Sequence, residues 1–131
     1  MKILFIEDHP SIGKFFQMTM MDGLDAQVDL VTTRSAFFKL IDKVHDYDVI
    51  VCDHYFPSFE DSRSPEENGN HIFMELFHDN YSGKFIHFSS EPCPEKYDLK
   101  DEVGTKINFH SMQKKEDGYT ATQLNKLIKE S

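Results

Sequence analysis

The sequence is poor in cysteine and in basic residues, and it lacks any long hydrophobic run. Its 131 residues include two cysteines, Cys52 inside an apolar run and Cys93 between two prolines, which is not the pattern of a disulfide framework. No apolar stretch approaches the roughly 20 residues that cross a bilayer. Residues 1–5 are too short a segment, and too soon followed by acidic residues, to act as a signal peptide. We therefore expect a cytoplasmic protein with no membrane segment.

Acidic side chains outnumber basic ones, 23 against 14, and the formal charge is −9. Binding to a nucleic-acid backbone relies on clustered Lys and Arg, so nucleic acid is not an expected partner. Hydrophobic residues make up 39% of the chain and charged residues 28%, which is typical of a folded globular protein. The length predicts one domain over residues 1–131, with its own core and no output domain.

Apolar segments with strand spacing and with helix spacing alternate along the chain. Short apolar runs predict five β-strands, at residues 3–6, 28–30, 47–53, 84–89 and 105–111. Helical spacing predicts five helices, at residues 10–22, 35–44, 72–77, 95–103 and 121–129. Gly23 is predicted to end the first helix in the left-handed conformation. A long loop is predicted over residues 56–68, which contain prolines and no periodicity.

This alternation predicts an α/β fold, a doubly wound parallel sheet with helices on both faces. The flavodoxin-like (βα)5 order 2-1-3-4-5 is the common arrangement for a chain of this size. In that order the first and third strands are neighbours. Glu7 and Asp8 follow the first strand and Asp53 follows the third, so we expect the three acids to converge at the carboxyl edge of the sheet.

Three neighbouring carboxylates repel one another, and a divalent cation relieves that repulsion. Mg²⁺ takes oxygen ligands, commonly one or two carboxylates, so Asp8 and Asp53 are the expected direct ligands. A carboxylate beside Mg²⁺ can attack a phosphoryl group if a cation and a hydroxyl meet the transferred oxygens. Lys114 and Ser89, near the ends of the fifth and fourth strands, are candidates for those two groups.

Several of these residues together resemble a response-regulator receiver domain, and the resemblance spans essentially the whole chain. The matching positions occur in the family's order: Glu7-Asp8, Asp53 with Pro57, Gly69, Ser89-Ser90 and Lys114.

The resemblance implies a role for each of these residues. Glu7, Asp8, Asp53 and the backbone carbonyl of Tyr55 would hold Mg²⁺, and Asp53 would accept the phosphoryl group. Ser89 would move toward the phosphoryl oxygens and Lys114 would pair with them. The only chemistry implied is phosphorylation and dephosphorylation of the chain itself, so the protein is not expected to be an enzyme acting on other substrates.

The resemblance also implies partners. A histidine kinase or phosphotransfer protein would supply the phosphoryl group, and a downstream effector protein would bind the switched surface. In the family, that surface is the face formed by the fourth helix, the fifth strand and the last helix. The same face also allows a homodimer.

Three positions depart from the family pattern. The loop over residues 56–68 is longer than usual. Lys115 stands where a proline normally follows the site lysine, so either Lys114 or Lys115 fits that role, and Lys114 is preferred because Met112 then takes an apolar strand position. Ser111 stands where many receivers carry a switch aromatic, with Phe109 and His110 close by.

Two other functions remain open at this level. One is an interaction module with a receiver fold that works without phosphorylation, suggested by the long acidic loop, Ser111 and Lys115. The other is a Mg²⁺-dependent phosphohydrolase, but Tyr55 replaces the acid that such enzymes carry two residues after the nucleophile. Taken singly, each acid or hydroxyl is also a common strand-end residue. The seven histidines show none of the spacings that zinc sites favour.

Overall fold

The computed structural model describes residues 1–53, 69–90 and 107–130, and it shows a five-stranded parallel sheet. The strand order is β2-β1-β3-β4-β5, which confirms the predicted fold class. The strands are β1 (Lys2–Ile6), β2 (Gln27–Val31), β3 (Val49–Cys52), β4 (Lys84–Ser89) and β5 (Asn108–Gln113). The predicted loop 56–68, the predicted helix 95–103 and Cys93 lie outside the described residues.

Four α-helices and a 3-10 helix are described: α1 (Pro10–Leu24), α2 (Arg34–Lys39), the 3-10 helix (Ile41–Asp46), α3 (Gly69–His78) and α4 (Gly118–Lys129). Residues at the start of α1, α2 and α4 stabilise the first turn of each helix. Proline at the start of α1 suits a position where no backbone donor is needed. Thr33 and Asp117 cap α2 and α4, each accepting a hydrogen bond from a backbone N–H three residues on. Within the described ranges, no helix is long and apolar enough to cross a membrane.

The first helix does not end as predicted. It runs to Leu24, and Asp25 rather than Gly23 takes the left-handed conformation, with a φ of 50°. Gly23 lies instead where α1 meets α4. A Cβ added there would approach the Asn125 side-chain nitrogen to 2.3 Å, and that nitrogen donates to the carbonyl of Thr19. The glycine therefore permits close helix packing.

The second predicted helix is divided in two. Its α-helical part stops at Lys39, and Leu40 has a φ of −102° and a ψ of 2°. The chain then continues in 3-10 geometry, in which residues three apart lie on the same side. Ile41 and Val44 have that spacing, so the apolar side persists although the hydrogen-bonding pattern changes, and Val44 is buried.

The fifth strand lies later in the chain than predicted, at Asn108–Gln113 rather than 105–111. Residues 105 and 106 fall outside the described residues, and Ile107 is buried but precedes the strand. Pairing with β4 sets the register, since Lys84 lies opposite Asn108 and Ser89 opposite Gln113. The exit of β5 is therefore level with the exit of β4.

Each face of the sheet carries its own hydrophobic cluster. The α1 and α4 side includes Phe5, Phe16, Phe88 and Leu124, while the α3 side includes Ile50, Phe73 and Phe85. Every residue of β3 and β4 is buried, as expected for strands covered on both faces. The sheet is thus a rigid support for groups placed at its carboxyl edge.

Gly83 lies in a tight space just before β4. A Cβ added there would lie 2.3 Å from the Tyr81 hydroxyl and 2.9 Å from the backbone oxygen of Asp48. Gly83→Ala should therefore lower the free energy of unfolding by about 1–3 kcal/mol through overpacking. Gly118→Ala is the matched control, because nothing lies within 4 Å of its added Cβ. Urea denaturation of both variants tests this, and equal stabilities would contradict it.

Candidate functional site at the carboxyl edge of the sheet

Glu7, Asp8 and Asp53 meet at the ends of two adjacent strands. β1 and β3 pair in parallel, with Ile6 opposite Cys52. The Asp53 N–H donates to the Ile6 carbonyl at 2.9 Å, and the Glu7 N–H donates to the Val31 carbonyl at 2.9 Å. These bonds extend the ladders to the acids themselves. One carboxylate oxygen from each acid lies within 4.8 Å of the other two.

Lys114 reaches this acidic group from the end of β5. Its N–H donates to the Ser89 carbonyl at 2.9 Å, which ties it to the end of β4. Its ammonium lies 2.5 Å from Glu7 Oε1 and 3.3 Å from Asp53 Oδ1, and its side chain is 11% exposed. Lys115 is exposed. Of the two lysines that fit the sequence pattern, Lys114 is the one that faces the acids.

The two candidate serines differ in burial, and the third remaining candidate, Tyr55, is not described. Ser89 is buried at the last position of β4, next to the strand that carries Asp53. Ser111 is exposed on β5, opposite His87. Tyr55, whose carbonyl the resemblance makes a metal ligand, lies outside the described residues.

Burial and mutual repulsion make all three acids hard to ionise. Desolvation is the main cause for each. The pKa of Glu7 is raised by burial and then by the charge of Asp53. The pKa of Asp8 is raised to about 6 by burial and by Glu7. Burial raises the pKa of Asp53 although the nearby Lys114 charge opposes the shift. The charge of one lysine therefore does not offset the burial and mutual repulsion of the three acids.

For Lys114, in contrast to the acids, the surroundings favour the charged form. Burial lowers the pKa of Lys114, but the charges of Asp53 and Glu7 outweigh burial and raise it overall. Lys114 is therefore a permanent cation at the working pH of a cell. Cys52, adjacent to Asp53, is a buried thiol whose pKa is raised by burial and by the neighbouring acids, so it is not an activated nucleophile.

The donor set fits a hard divalent cation. Three carboxylate oxygens within 4.8 Å match the oxygen ligands that Mg²⁺ prefers. Glu7 Oε2 is buried and has no hydrogen-bond partner among the described residues. Such an oxygen is costly to bury unless something positive meets it. Glu7, Asp8 and Asp53 are therefore the residues that would hold Mg²⁺.

His87 is a buried polar residue close to this site that the sequence analysis did not select. The residue belongs to β4, two positions before Ser89, and its side chain is buried. A signal was present in the sequence, because His87 is the single polar residue between Phe85 and Phe88 in an otherwise apolar run.

The raised pKa of Asp8 predicts a pH-dependent stability in the absence of divalent cations. Between the ordinary value of 3.8 and about 6, folded Asp8 keeps a proton that the unfolded chain releases. The free energy of unfolding should therefore fall as pH rises through this window. Asp8→Asn should be more stable than wild type above pH 6, and this advantage should shrink as pH falls toward 4.

Thermal unfolding in a chelating buffer at several pH values measures this difference. Asp22→Asn, an exposed acid on α1, is the control and should show no such trend. An advantage of Asp8→Asn that stays constant with pH, or grows toward low pH, would contradict the raised pKa.

Comparisons with known proteins give a structural likeness without a sequence match. No family model matches the chain, and no curated protein does. A response regulator receiver domain protein from Bacillus halodurans matches with a TM-score of 0.71 at 15% identity, over 99% of this chain and 97% of that one. One from Clostridium thermocellum gives 0.71 at 17% identity, over 97% and 90%. One from Methanospirillum hungatei gives 0.69 at 13% identity, over 96% and 89%.

These likenesses extend over nearly the whole chain and include the strand order of the sheet. The protein therefore has the flavodoxin-like fold of response regulator receiver domains.

Proposed function

We propose that this protein is a receiver of two-component signal transduction that accepts a phosphoryl group on Asp53 and thereby changes its binding to a partner protein. The observation that carries the proposal is the setting of Asp53. It follows the central strand β3, with the Lys114 ammonium 3.3 Å from its Oδ1 and two further carboxylates in the same group. The receiver fold supports the proposal.

In the proposed reaction, a carboxylate oxygen of Asp53 forms a bond to phosphorus, and the bond between phosphorus and the donor breaks. With a phosphohistidine donor, the leaving imidazole nitrogen takes up a proton. Bound Mg²⁺ supplies positive charge to the transferred oxygens. Lys114 holds a second positive charge against Asp53, and Ser89 offers a hydroxyl at the end of the neighbouring strand. The role of the Tyr55 carbonyl as a further ligand rests on the resemblance alone.

Ionisation of Asp53 is the condition that the chain itself must meet. Burial favours the protonated acid, whereas Lys114 favours the carboxylate. The lysine therefore offsets part of the rise in the Asp53 pKa that burial causes. After phosphorylation the same ammonium would pair with the phosphoryl oxygens and would give up its contact with Glu7.

The partners follow from the chemistry. A histidine kinase or phosphotransfer protein of the cytoplasm would donate the phosphoryl group, and an effector protein would bind the altered surface. A groove of about 370 Å³ between β5 and α4 lies on the surface proposed to switch, and the resemblance extends the proposal to a homodimer through the same surface. The groove is lined by Ser111, Met112, Gln123, Lys126, Leu127 and Glu130.

A small acyl phosphate tests the proposal without a known kinase. Incubation with this donor and Mg²⁺ should add the mass of one phosphoryl group to the intact protein, and removal of Mg²⁺ with a chelator should prevent the gain. An unchanged mass in a protein shown to be folded would contradict the proposal.

A second candidate is an interaction module that works without phosphorylation. It is favoured by one observation, which is that Lys114 contacts Glu7 and Asp53 and partly neutralises them. This candidate predicts that Asp53→Asn leaves partner binding unchanged, whereas the phosphorylation proposal predicts that the variant no longer responds to the acyl phosphate.

A further inference from the structure

Lys84 is a buried lysine at the first position of β4, at the edge of the sheet opposite the acids. The residue is 8% exposed. Lysine is rarely buried to this degree unless its charge is paired. Side chains two apart on a strand share a side, and Ile86 belongs to the hydrophobic cluster on the α1 and α4 side. Lys84 therefore lies on the side of the sheet that α4 covers.

The ammonium of Lys84 meets the end of α4. It donates to the carbonyl of Leu127 at 2.8 Å and to that of Ile128 at 3.3 Å, and it also contacts the carbonyl of Glu130. The last carbonyls of a helix have no partner within the helix, and an ammonium has three N–H groups to donate. Positive charge is also favourable at this negative end of a helix. One side chain from β4 thus caps the last turn of α4.

Two further contacts hold α4 along its length. At the start of the helix, the Asp117 side chain accepts a hydrogen bond from the Thr120 N–H at 2.7 Å. In the middle, the Asn125 side chain donates to the carbonyl of Thr19 on α1 at 3.0 Å. The contact with Lys84 adds a third attachment, and it ties the last turn to a central part of the sheet.

The capped turn forms one end of the groove between β5 and α4. Leu127 and Glu130, whose carbonyls contact Lys84, both line the groove, while Ser111 and Met112 of β5 line the other wall. The shape of the groove at this end depends on where the last turn lies. A buried side chain that fixes this turn therefore also fixes the α4 wall of the groove.

We propose that Lys84 is a latch that keeps the last turn of α4, and with it the α4 wall of the groove, in one arrangement. The partner surface then changes through β5 and not through the end of α4. This second statement rests on the proposed function, because it concerns the response to phosphorylation. The resemblance alone makes the last helix part of the surface that changes, so the latch is a property of this chain.

Amide hydrogen exchange of α4 tests the latch. Lys84→Met keeps most of the side-chain volume but removes the ammonium, and it should speed exchange at residues 127–130 by about tenfold or more. Exchange at Ala121, near the start of the helix, should stay within about twofold of wild type. Lys129→Met removes a positive charge from an exposed position of the same turn, and as the control it should stay within about twofold throughout.

A second measurement uses wild type alone. In nitrogen-detected NMR, the ammonium protons of Lys84 should exchange with water at least about tenfold more slowly than those of the exposed Lys126 and Lys129. Equally fast exchange of all three would overturn the latch. So would an equal rise in amide exchange over the whole of α4 in Lys84→Met, because that pattern indicates a general loss of stability.

Phosphorylation tests the second statement. After treatment of wild type with a small acyl phosphate and Mg²⁺, exchange at residues 127–130 should stay within about twofold, while exchange in β5 (Asn108–Gln113) should change by about fivefold or more. If wild type takes up a phosphoryl group and residues 127–130 change as much as β5, this inference fails while the proposed function stands. If wild type takes up none, the proposed function fails, and the latch is judged by Lys84→Met and the ammonium protons.

Discussion

Lys114→Met should lower the free energy of unfolding by about 3–5 kcal/mol near neutral pH without divalent cations, the usual cost of removing one partner from a buried ion pair. Glu7 is fully buried and Asp53 is 5% exposed, so neither acid has water to replace the lost ammonium. Methionine keeps most of the side-chain volume, and the loss therefore reports charge rather than a cavity. Urea denaturation gives the value directly.

Lys115→Met is the matched control, because Lys115 is exposed and should change the free energy of unfolding by less than about 0.5 kcal/mol. The two variants also decide which lysine belongs to the site. Equal effects, or a larger effect at Lys115, would contradict the geometry.

The cost of Lys114→Met should depend on pH with a definite sign. Burial already raises the pKa of Glu7 and Asp53, and removing the lysine charge raises both further. As pH falls, the folded variant can take up protons on these acids and relieve the repulsion. The difference from wild type should therefore be greatest at neutral pH and should shrink in acid. A difference that grows toward low pH would exclude this electrostatic explanation.

If Asp8 is a ligand as proposed, Asp8→Asn should weaken Mg²⁺ binding by at least about tenfold. Asp8 is the most accessible of the three acids, so a cation from solvent meets it without the burial that surrounds Glu7. Isothermal titration of the folded protein with MgCl₂ measures the affinity. The exposed Asp22→Asn should bind as wild type does. Unchanged Mg²⁺ affinity in Asp8→Asn would show that Asp8 is not a ligand of the cation.

Asp8→Asn thus has two opposite expected effects. It should stabilise the cation-free protein above pH 6, since one carboxylate of a repelling group is lost. It should also impair cation binding. A functional site often trades stability for chemistry in this way. The opposition distinguishes a cation site from acids that merely end strands.

The positions of the first four strands and the meeting of the acids could be predicted from the sequence, because both follow from local pattern and general topology. The mainly apolar segments around Val51 and Ile86 are typical of strands covered on both sides. Once strand order 2-1-3-4-5 is assumed, the ends of β1 and β3 are adjacent, and Glu7, Asp8 and Asp53 must lie close together.

Features that depend on packing between distant segments could not be predicted in the same way. The pattern around Gly23 is that of a helix end. In the structure, however, Gly23 leaves space for the side chain of Asn125 and so allows α1 and α4 to pack closely. The position of β5 depends on its pairing with β4, and the apolar pattern alone placed the strand too early. These outcomes are tertiary effects that override local preference.

The ion pairs within the site could not be predicted from the sequence either. Strand-end residues indicated a shared acidic edge, but they did not show that Lys114 contacts Glu7 as well as Asp53. The apolar position of Met112 already favoured Lys114 over the adjacent Lys115, and the contacts of Lys114 with Glu7 and Asp53 distinguish the two lysines directly. The buried position of His87 beside Ser89 likewise depends on the sheet being formed.

Mapping the phosphoryl group by peptide mass spectrometry tests the central claim most directly. After treatment with a small acyl phosphate and Mg²⁺, the modification should lie on Asp53 alone, and Asp53→Asn should remain unmodified under the same conditions. The exposed Asp46→Asn, at the opposite edge of the sheet, should be modified as wild type is. Modification at another residue, or none at Asp53 in a folded and Mg²⁺-supplied protein, would contradict the account.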